Sequence, residues 1–187
     1  MNKETTINLL VSGRAACFRR PEFSDDLVSY DVMPPTIARR LVETALPQNS
    51  GQIAIRKIYV INPIRLRWQN IETVRRSCRA LVLLDVCYVI EVVVLTSRDC
   101  EGCDWLSEIT HRFAAPVSAH LGLVDFPATV SLVRGKIPRS ALSGTGTIDL
   151  GWMVSDLGRG KRGQFRRLSM REGLIDLSDQ DQSMHAS

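Results

Sequence analysis

The run from Ala80 to Thr96, ALVLLDVCYVIEVVVLT, constrains the fold more than any other part of the chain. It is shorter than the roughly 20 predominantly apolar residues of a membrane-spanning helix, and it contains Asp85 and Glu91. Valine and isoleucine dominate it, which is typical of a β-strand. In a strand, the even-numbered side chains from Val82 to Val94 face one side and the two carboxylates share the other. The run therefore predicts a central strand with one buried face.

The two carboxylates of this run do not predict a catalytic pair. Asp85 and Glu91 are six residues apart, which corresponds to about 20 Å along a strand, too far for both groups to act on one bond. We expect turn contacts or salt bridges instead.

Hydrophobic periodicity and turn residues predict the elements around the central strand. In chain order they are a strand over 7–17 with a possible bulge at Gly13, a helix that begins at Pro34-Pro35, a strand over 53–71 interrupted at Asn62-Pro63, the central strand, a helix capped by Asp104 that ends before Pro116, and a last strand region over 117–133. Strand, helix, strand, strand, helix, strand is the split βαβ order, an α+β arrangement. The 187 residues fit one domain of this kind.

The C-terminal third predicts an extension to this domain. Residues 1–133 form the α+β unit, and 134–175 form an extension in which SGTGT (143–147) is a turn and DLGWMVSDL (149–157) packs back on the domain. A phosphate-binding loop needs a lysine and a following helix, and SGTGT has neither. Residues 176–187 have little to bury and predict a disordered tail.

The loop after the first strand interleaves aromatic rings with arginines. Phe18, Arg19, Arg20 and Tyr30 lie in it, and Arg39 and Arg40 follow on the predicted helix. Rings stack on unpaired bases and guanidinium groups contact phosphates, so the mixture favours single-stranded RNA. The alternative is that Phe18 and Phe23 belong to the core and the arginines form a solvated surface.

A second basic segment follows the interruption at 62–63. Arg65 and Arg67 alternate with Leu66 and Trp68, which places both arginines on one face of a strand. Three more arginines, Arg75, Arg76 and Arg79, make this the densest basic patch of the chain. Trp68 either wedges between bases or packs in the core, and a plain solvated surface is the alternative for the arginines. Residues 158–173 hold a further RNA or partner surface around Phe165, with Arg159, Lys161, Arg162, Arg166, Arg167 and Arg171.

Net charge and cysteine content indicate the class of partner and the cellular compartment. The net charge of +4 and the abundance of arginine over lysine are compatible with a polyanion partner. The five cysteines are an odd number and the N-terminus lacks a signal pattern, so we expect a cytoplasmic protein with reduced thiols and no membrane segment. Cys100 and Cys103 form a lone CxxC with only His111 nearby, which predicts two free thiols rather than a metal site. We expect no cofactor.

Several short blocks also carry a family resemblance. They are FRRPE (18–22), VSYDV (28–32), INPIR (61–65), LLDVCYVIEV (83–92), LGLVDFPA (121–128), DLGWMVSDL (149–157) and REGLID (171–176). In this order they resemble the fifth family of CRISPR-associated (Cas) proteins, especially its subtype I-C form, as a compact or divergent member. The resemblance implies a ferredoxin-like fold of the RNA-recognition type (RAMP superfamily), with a β-hairpin thumb around 62–80.

The resemblance also implies a function. Family members belong to a CRISPR effector complex, cap the 5′ handle of the guide RNA (crRNA), and contact the large subunit and the backbone subunits of Cas family seven. The residues expected to bind RNA are Phe18, Arg19, Arg20, Tyr30, Arg39, Arg40, Arg65, Arg67, Trp68, Arg75, Arg76 and Arg79.

The resemblance is incomplete at the catalytic positions of the I-C form. Those members cut precursor RNA with a tyrosine of the SYDV block, matched by Tyr30, and with a lysine-histidine pair before the LGLVDFPA block. Here no lysine precedes that block, Val117 occupies the histidine position, and His120 lies three residues later. Val124 and Arg40 replace a common arginine and glycine. We therefore predict a non-catalytic RNA-binding subunit; the alternatives are a metal-independent endoribonuclease that uses Tyr30 with His120 or His111, and a scaffold without an RNA role.

Overall fold

The computed structural model describes residues 3–23, 26–46, 52–72, 77–96, 105–156 and 164–178. The elements in these ranges are β1 (Lys3–Ala16), β2 (Leu27–Val28), α1 (Pro35–Ala45), β3 (Gln52–Val60), β4 (Leu66–Glu72), β5 (Ser77–Thr96), α2 (Trp105–Arg112), β6 (Val117–His120), β7 (Pro127–Leu132), β8 (Thr147–Asp156), β9 (Gln164–Arg171) and β10 (Leu174–Asp176).

Four antiparallel strands in the order β7-β1-β5-β3 form the centre of the sheet. In chain order, β1, β3, β5 and β7 are the first to fourth strands of the split βαβ unit, so the spatial order is four-one-three-two. Helix α1 lies between β1 and β3 in the chain, and α2 lies between β5 and β7. This is the ferredoxin-like arrangement, so the predicted fold class is confirmed. The first strand is longer than predicted, and the predicted last strand region is a hairpin of β6 and β7.

The central strand prediction is correct, and β5 is 20 residues long. It pairs with β1 from Lys3↔Thr96 to Ala16↔Leu83 without a change of register. Val82, Ile90, Val92 and Val94 are fully buried, as expected, but Leu83, Val89 and Val93 of the opposite face are also at most 2% exposed, so the prediction of a single buried face is wrong. The carboxylates of Glu91 and Asp85 have different surroundings. Glu91 accepts a salt bridge from Lys57 at 3.1 Å, and the Asp85 side chain is exposed.

Asp85 marks the point where β5 changes its partner. Residues 88–95 pair with β3, whereas residues 77–83 pair with β4 and leave the four-stranded unit as a hairpin. Asp85 has a left-handed φ of 51°, and the side-chain amide of Asn62 donates to its carbonyl at 2.7 Å. This hairpin, called the thumb below, occupies the segment where the resemblance implied one.

Helix α1 begins where two prolines predict it. Pro34 is the N-cap and Pro35 the first helical residue, a position where the missing N–H costs no hydrogen bond. Its buried side chains include Ala38, Leu41 and Val42, which contact the sheet core. The hydroxyl of Thr36 donates to the Val154 carbonyl of β8 at 3.3 Å, so α1 is held between the central strands and the C-terminal hairpin.

The C-terminal residues continue the sheet. β8 and β9 form a hairpin, and β10 pairs with β3 through Ile175↔Ile58. Leu177 is 2% exposed and its N–H donates to the Arg56 carbonyl at 2.7 Å. The predicted tail boundary at 176 is therefore wrong by a few residues, and the rest of the predicted tail lies outside the described residues.

Gly13 is not a bulge, because β1 keeps its register with β5 through Gly13↔Val86. A Cβ at this position would lie 2.6 Å from Leu121 Cδ1 and 3.0 Å from the Pro127 carbonyl. The glycine is explained by the close approach of the loop between β6 and β7.

Candidate nucleic-acid interface

The thumb presents an exposed aromatic ring covered by a guanidinium group. Trp68 on β4 is 42% exposed, and Arg79 Cζ on β5 lies 4.4 Å from its ring centroid. The pair is possible because Asn70, two residues after Trp68, is directly opposite Arg79 in the ladder, which makes Trp68 and Arg79 diagonal neighbours. A cation–π contact at an exposed site contributes about 0.5–1 kcal/mol. The stack orients a planar cation and a planar ring at the protein surface.

Two further arginines extend the positive charge of the thumb. Arg65 and Arg67 are exposed, and neither forms a salt bridge with a residue in the described ranges. The predicted alternation holds, because Arg67 is opposite Val82 on one face of the ladder whereas Trp68 is opposite Leu81 on the other. The cations are thus distributed over both faces of the thumb. Arg75 and Arg76 lie outside the described residues.

Phe18 is part of the core rather than of a stacking surface. It is 1% exposed, and its ring meets the Tyr88 ring edge to face with centroids 6.2 Å apart. Its backbone N–H donates to the buried Ser29 hydroxyl at 3.0 Å. In this conformation its ring cannot stack on a base, so Phe18 belongs to the core, which was the alternative interpretation. Phe23, in contrast, is 43% exposed, and Arg19 is exposed as well.

Arg20 and Tyr30 are brought together and contact each other. Arg20 Cζ lies 4.8 Å from the Tyr30 ring centroid, and its guanidinium pairs with Glu22 at 3.6 Å and Asp31 at 3.4 Å. Arg20 is therefore largely neutralised within its own loop.

Tyr30 is buried, at 2% exposure. Burial raises the pKa of its phenol, the nearby Glu22 raises it further, and Arg20 opposes both effects. The backbone amide of Val154 approaches the phenol oxygen and lowers the pKa a little, but among the described residues no hydrogen bond of good geometry satisfies that oxygen. A buried phenol with a raised pKa stays neutral and is a poor general base.

The two candidate histidines lie elsewhere. His120 is exposed at the end of β6, opposite Pro127. His111 lines a groove of about 840 Å³ between α1 and α2, together with Arg40, Glu43, Thr44, Leu46, Glu108 and Arg112. The Tyr30 phenol oxygen has no hydrogen-bond partner among the described residues, so neither histidine is hydrogen-bonded to it there.

The two arginines of α1 differ in their surroundings. Arg39 donates to Glu43 one turn later at 3.1 Å, so its charge is compensated. Arg40 is exposed at the rim of the α1–α2 groove. Of the two, only Arg40 retains a surface charge that is not engaged by a described carboxylate.

An aromatic residue that sequence reasoning missed lies on the C-terminal hairpin. Trp152 was expected to pack back on the domain with the rest of DLGWMVSDL, but it is 65% exposed, whereas its neighbour Met153 is 1% exposed. Strand alternation through Trp152 and Met153 is the signal that could have distinguished them. Phe165, on the opposite strand, is 48% exposed, whereas Arg159, Lys161 and Arg162 lie outside the described residues.

In the part of the chain that the structure describes, no group of three or more His, Cys, Asp or Glu side chains could hold a metal ion. Cys100, Cys103 and Asp104 are outside that part; Cys17, Cys78 and Cys87 are free thiols. Within the described ranges, neither helix has the length and apolar character that a membrane crossing requires.

Sequence comparison decides the family. No family model matches the chain. A protein of Mannheimia succiniciproducens named CRISPR pre-crRNA endoribonuclease Cas5d is 31% identical over 213 aligned positions, which cover 91% of this chain and 94% of the relative. The chain belongs to the Cas5 family of CRISPR-associated proteins. A Cas5d of the same name from Thermus thermophilus is 31% identical over 170 positions, 81% of this chain and 72% of the relative.

Solved structures agree with the Cas5 assignment at the level of the fold. A crystal structure of a CRISPR-associated protein superposes with a TM-score of 0.79 at 20% identity and covers 95% of this chain and 94% of its own. The functionally uncharacterized protein SMU1763c from Streptococcus mutans superposes with a TM-score of 0.72 at 17% identity, covering 94% and 93%.

Proposed function

We propose that this Cas5-family chain is an RNA-binding subunit of a CRISPR effector complex and that it caps the 5′ handle of the crRNA. The observation that carries the proposal is the thumb, where exposed Trp68 is stacked under Arg79 and Arg65 and Arg67 have no carboxylate partner in the described ranges. A ring stacks on an unpaired base and unpaired guanidinium groups neutralise phosphates.

The relatives support the same class of ligand. Both are named for precursor crRNA, so a CRISPR repeat RNA is the ligand to test. We further propose that the chain belongs to the subtype I-C form, that it acts in the cytoplasm, and that it contacts the large subunit and the family-seven backbone subunits of its complex.

The second candidate is a precursor crRNA endoribonuclease, which the names of both relatives favour. Cleavage of this kind needs a base for the 2′-hydroxyl and an acid for the leaving oxygen. Tyr30 is buried with a raised pKa, and the described contacts do not join it to His111 or His120. We therefore place RNA binding ahead of cleavage.

The first experiment measures binding of a labelled repeat RNA to the purified chain at several salt concentrations. For a single strand, the slope of log affinity against log salt is roughly −0.7 per phosphate neutralised. R65A/R67A/R79A should make the slope shallower by about 2. The matched control, R56A/R134A/R139A, removes the same charge outside the thumb and should change the slope far less. Wild-type binding that is independent of salt would refute the proposal.

The same samples, incubated with EDTA and run on denaturing gels, test the second candidate. Intact RNA that remains bound supports the capping role. Cleavage at one site that is lost in Tyr30→Phe and in His120→Ala would show that the chain is a nuclease, and that Tyr30 becomes exposed when RNA binds.

A further inference from the structure

The outer face of the β8–β9 hairpin exposes two large aromatic side chains that packing does not explain. Trp152 is 65% exposed and Phe165 is 48% exposed. The inner face of the same hairpin is anchored by Met153, Leu168 and Met170, which are 1%, 7% and 0% exposed. The hairpin is therefore held to the domain by its inner face, by the pairing of β9 with β10 and by the Thr36–Val154 hydrogen bond, and neither exposed ring is needed for these contacts.

The ladder register places the two rings side by side. Trp152 is opposite Arg167, and Phe165, two residues before Arg167, is opposite Val154. Trp152 and Phe165 are therefore diagonal neighbours, about 7–8 Å apart at the backbone. Both rings therefore lie on one face and are close enough for a single strand of RNA to contact both.

An ion pair lies beside the rings. The guanidinium of Arg167 donates from Nε to both carboxylate oxygens of Asp149, at 3.3 and 3.2 Å, and its Nη2 also donates to that carboxylate. Asp149 therefore compensates the charge of Arg167, as Glu43 does for Arg39, and the pair fixes a planar guanidinium opposite Trp152 in the ladder. Arg171 continues the same face along β9, because it follows Arg167 by four residues in the strand.

The other side chains of this face are mostly polar. Ser169 is exposed between Arg167 and Arg171, Thr147 is exposed opposite Arg171, Asp149 is opposite Ser169, and Val154 is the apolar residue opposite Phe165. A protein-binding hot spot is normally surrounded by contacts that exclude water. Here hydroxyl groups, the Arg167–Asp149 ion pair and Arg171 lie on the face of the rings instead, a composition that suits bases stacked on the rings and a phosphate next to Arg171.

We propose that Trp152 and Phe165 form a second site for single-stranded RNA, separate from the thumb, on which unpaired bases of the crRNA stack while the exposed Arg171 faces its phosphates. This inference rests on the proposed function and adds a site to it. Stacking of this kind is tolerant of base identity, so the site contributes affinity and path rather than sequence choice.

The test compares W152A/F165A with wild type and with the thumb variant R65A/R67A/R79A in the same salt series. Each stacked base lost weakens binding by roughly 5- to 150-fold. Because no charge is removed, W152A/F165A should keep the wild-type salt slope, whereas the thumb variant should not. Val124→Ala, which trims another exposed apolar side chain (62% exposed), is the matched control and should bind as wild type does.

Tryptophan fluorescence gives a readout that does not depend on affinity. A base stacked on Trp152 should quench its emission at saturating RNA, so wild type should lose more emission than Trp152→Phe, which keeps a ring but not the fluorophore. Equal quenching, together with wild-type affinity in W152A/F165A, would overturn the inference and assign the face to a protein partner. Absence of any RNA binding by wild type would instead refute the proposed function itself.

Discussion

Three glycines allow the cost of backbone conformation to be separated from the cost of a steric clash. Gly122 and Gly144 have the same left-handed φ of 89°. A Cβ at Gly122 would lie 1.9 Å from the Cys17 carbonyl oxygen, whereas at Gly144 nothing lies within 4 Å. Gly135 has neither the left-handed φ nor a close neighbour. Alanine at these three positions should therefore have graded effects on stability.

The magnitudes follow from the geometry. Gly135→Ala should raise the free energy of unfolding by about 0.4–1 kcal/mol, because alanine restricts the unfolded chain. Gly144→Ala has the same gain but costs about 1–2 kcal/mol for the left-handed conformation. Gly122→Ala adds overpacking of about 1–3 kcal/mol and disturbs the hydrogen bond from the Cys17 N–H to the Leu121 carbonyl at 3.1 Å. Its total should be roughly 2–5 kcal/mol of destabilisation.

Urea unfolding followed by circular dichroism measures all three variants on one scale. The close atom at Gly122 is a backbone carbonyl, which cannot rotate away as a side chain can, so the clash requires β1 or the loop at 121–126 to move. If Gly122→Ala and Gly144→Ala were equally stable, the close packing of this loop on Cys17 would be refuted.

Three further predictions concern single side chains. Trp68→Ala should weaken repeat-RNA binding by roughly 5-fold or more with little change in stability, since the ring is exposed; equal affinity in a binding titration would exclude Trp68 from the interface. Burial raises the pKa of the Cys17 thiol to about 11, so alkylation at pH 8 followed by peptide mapping should modify Cys78 well before Cys17; equal rates would contradict its burial. Tyr30→Phe removes a buried oxygen that lacks a good hydrogen bond among the described residues and should raise the free energy of unfolding by roughly 1 kcal/mol. The pKa of Tyr30 is raised in the folded state. The stability that this shift contributes is therefore fully present below the unfolded pKa near 10 and is lost as the pH rises above that value. Tyr30→Phe should thus lose less stability than wild type above pH 10, and an unchanged dependence of stability on pH would argue against the raised pKa.

Local patterns predicted the parts of the fold that depend on one segment. The alternation in β5 and the proline pair before α1 each follow from residues within a few positions of one another. The element order then sufficed for the ferredoxin-like fold. The sequence predicted one strand region over 117–133 where the structure has a hairpin, because β6 and β7 are both short, at four and six residues.

The candidate site was less predictable because exposure depends on distant segments. Phe18 and Tyr30 read as stacking rings in their own loop, but Tyr88 packs against Phe18, and the amide of Val154, far along the chain, approaches the Tyr30 phenol. Trp152 lies in an apolar stretch that favours burial. Alternation separates it from Met153, but which of the two points outward depends on how β8 packs on the rest of the domain. For Trp68 the sequence left wedging between bases and core packing both open, and its 42% exposure excludes core packing.

The position of β10 has a consequence for how the chain reaches this fold during synthesis. β3 acquires one neighbour, β5, soon after it is made, but its other neighbour is β10, at residues 174–176. Until those residues emerge from the ribosome, one edge of β3 has unpaired amides and carbonyls that another strand could occupy. Folding of the sheet is therefore completed late in translation. A chain that stops before β10 would expose an unpaired edge of β3, with which strands of neighbouring chains in a polysome could pair.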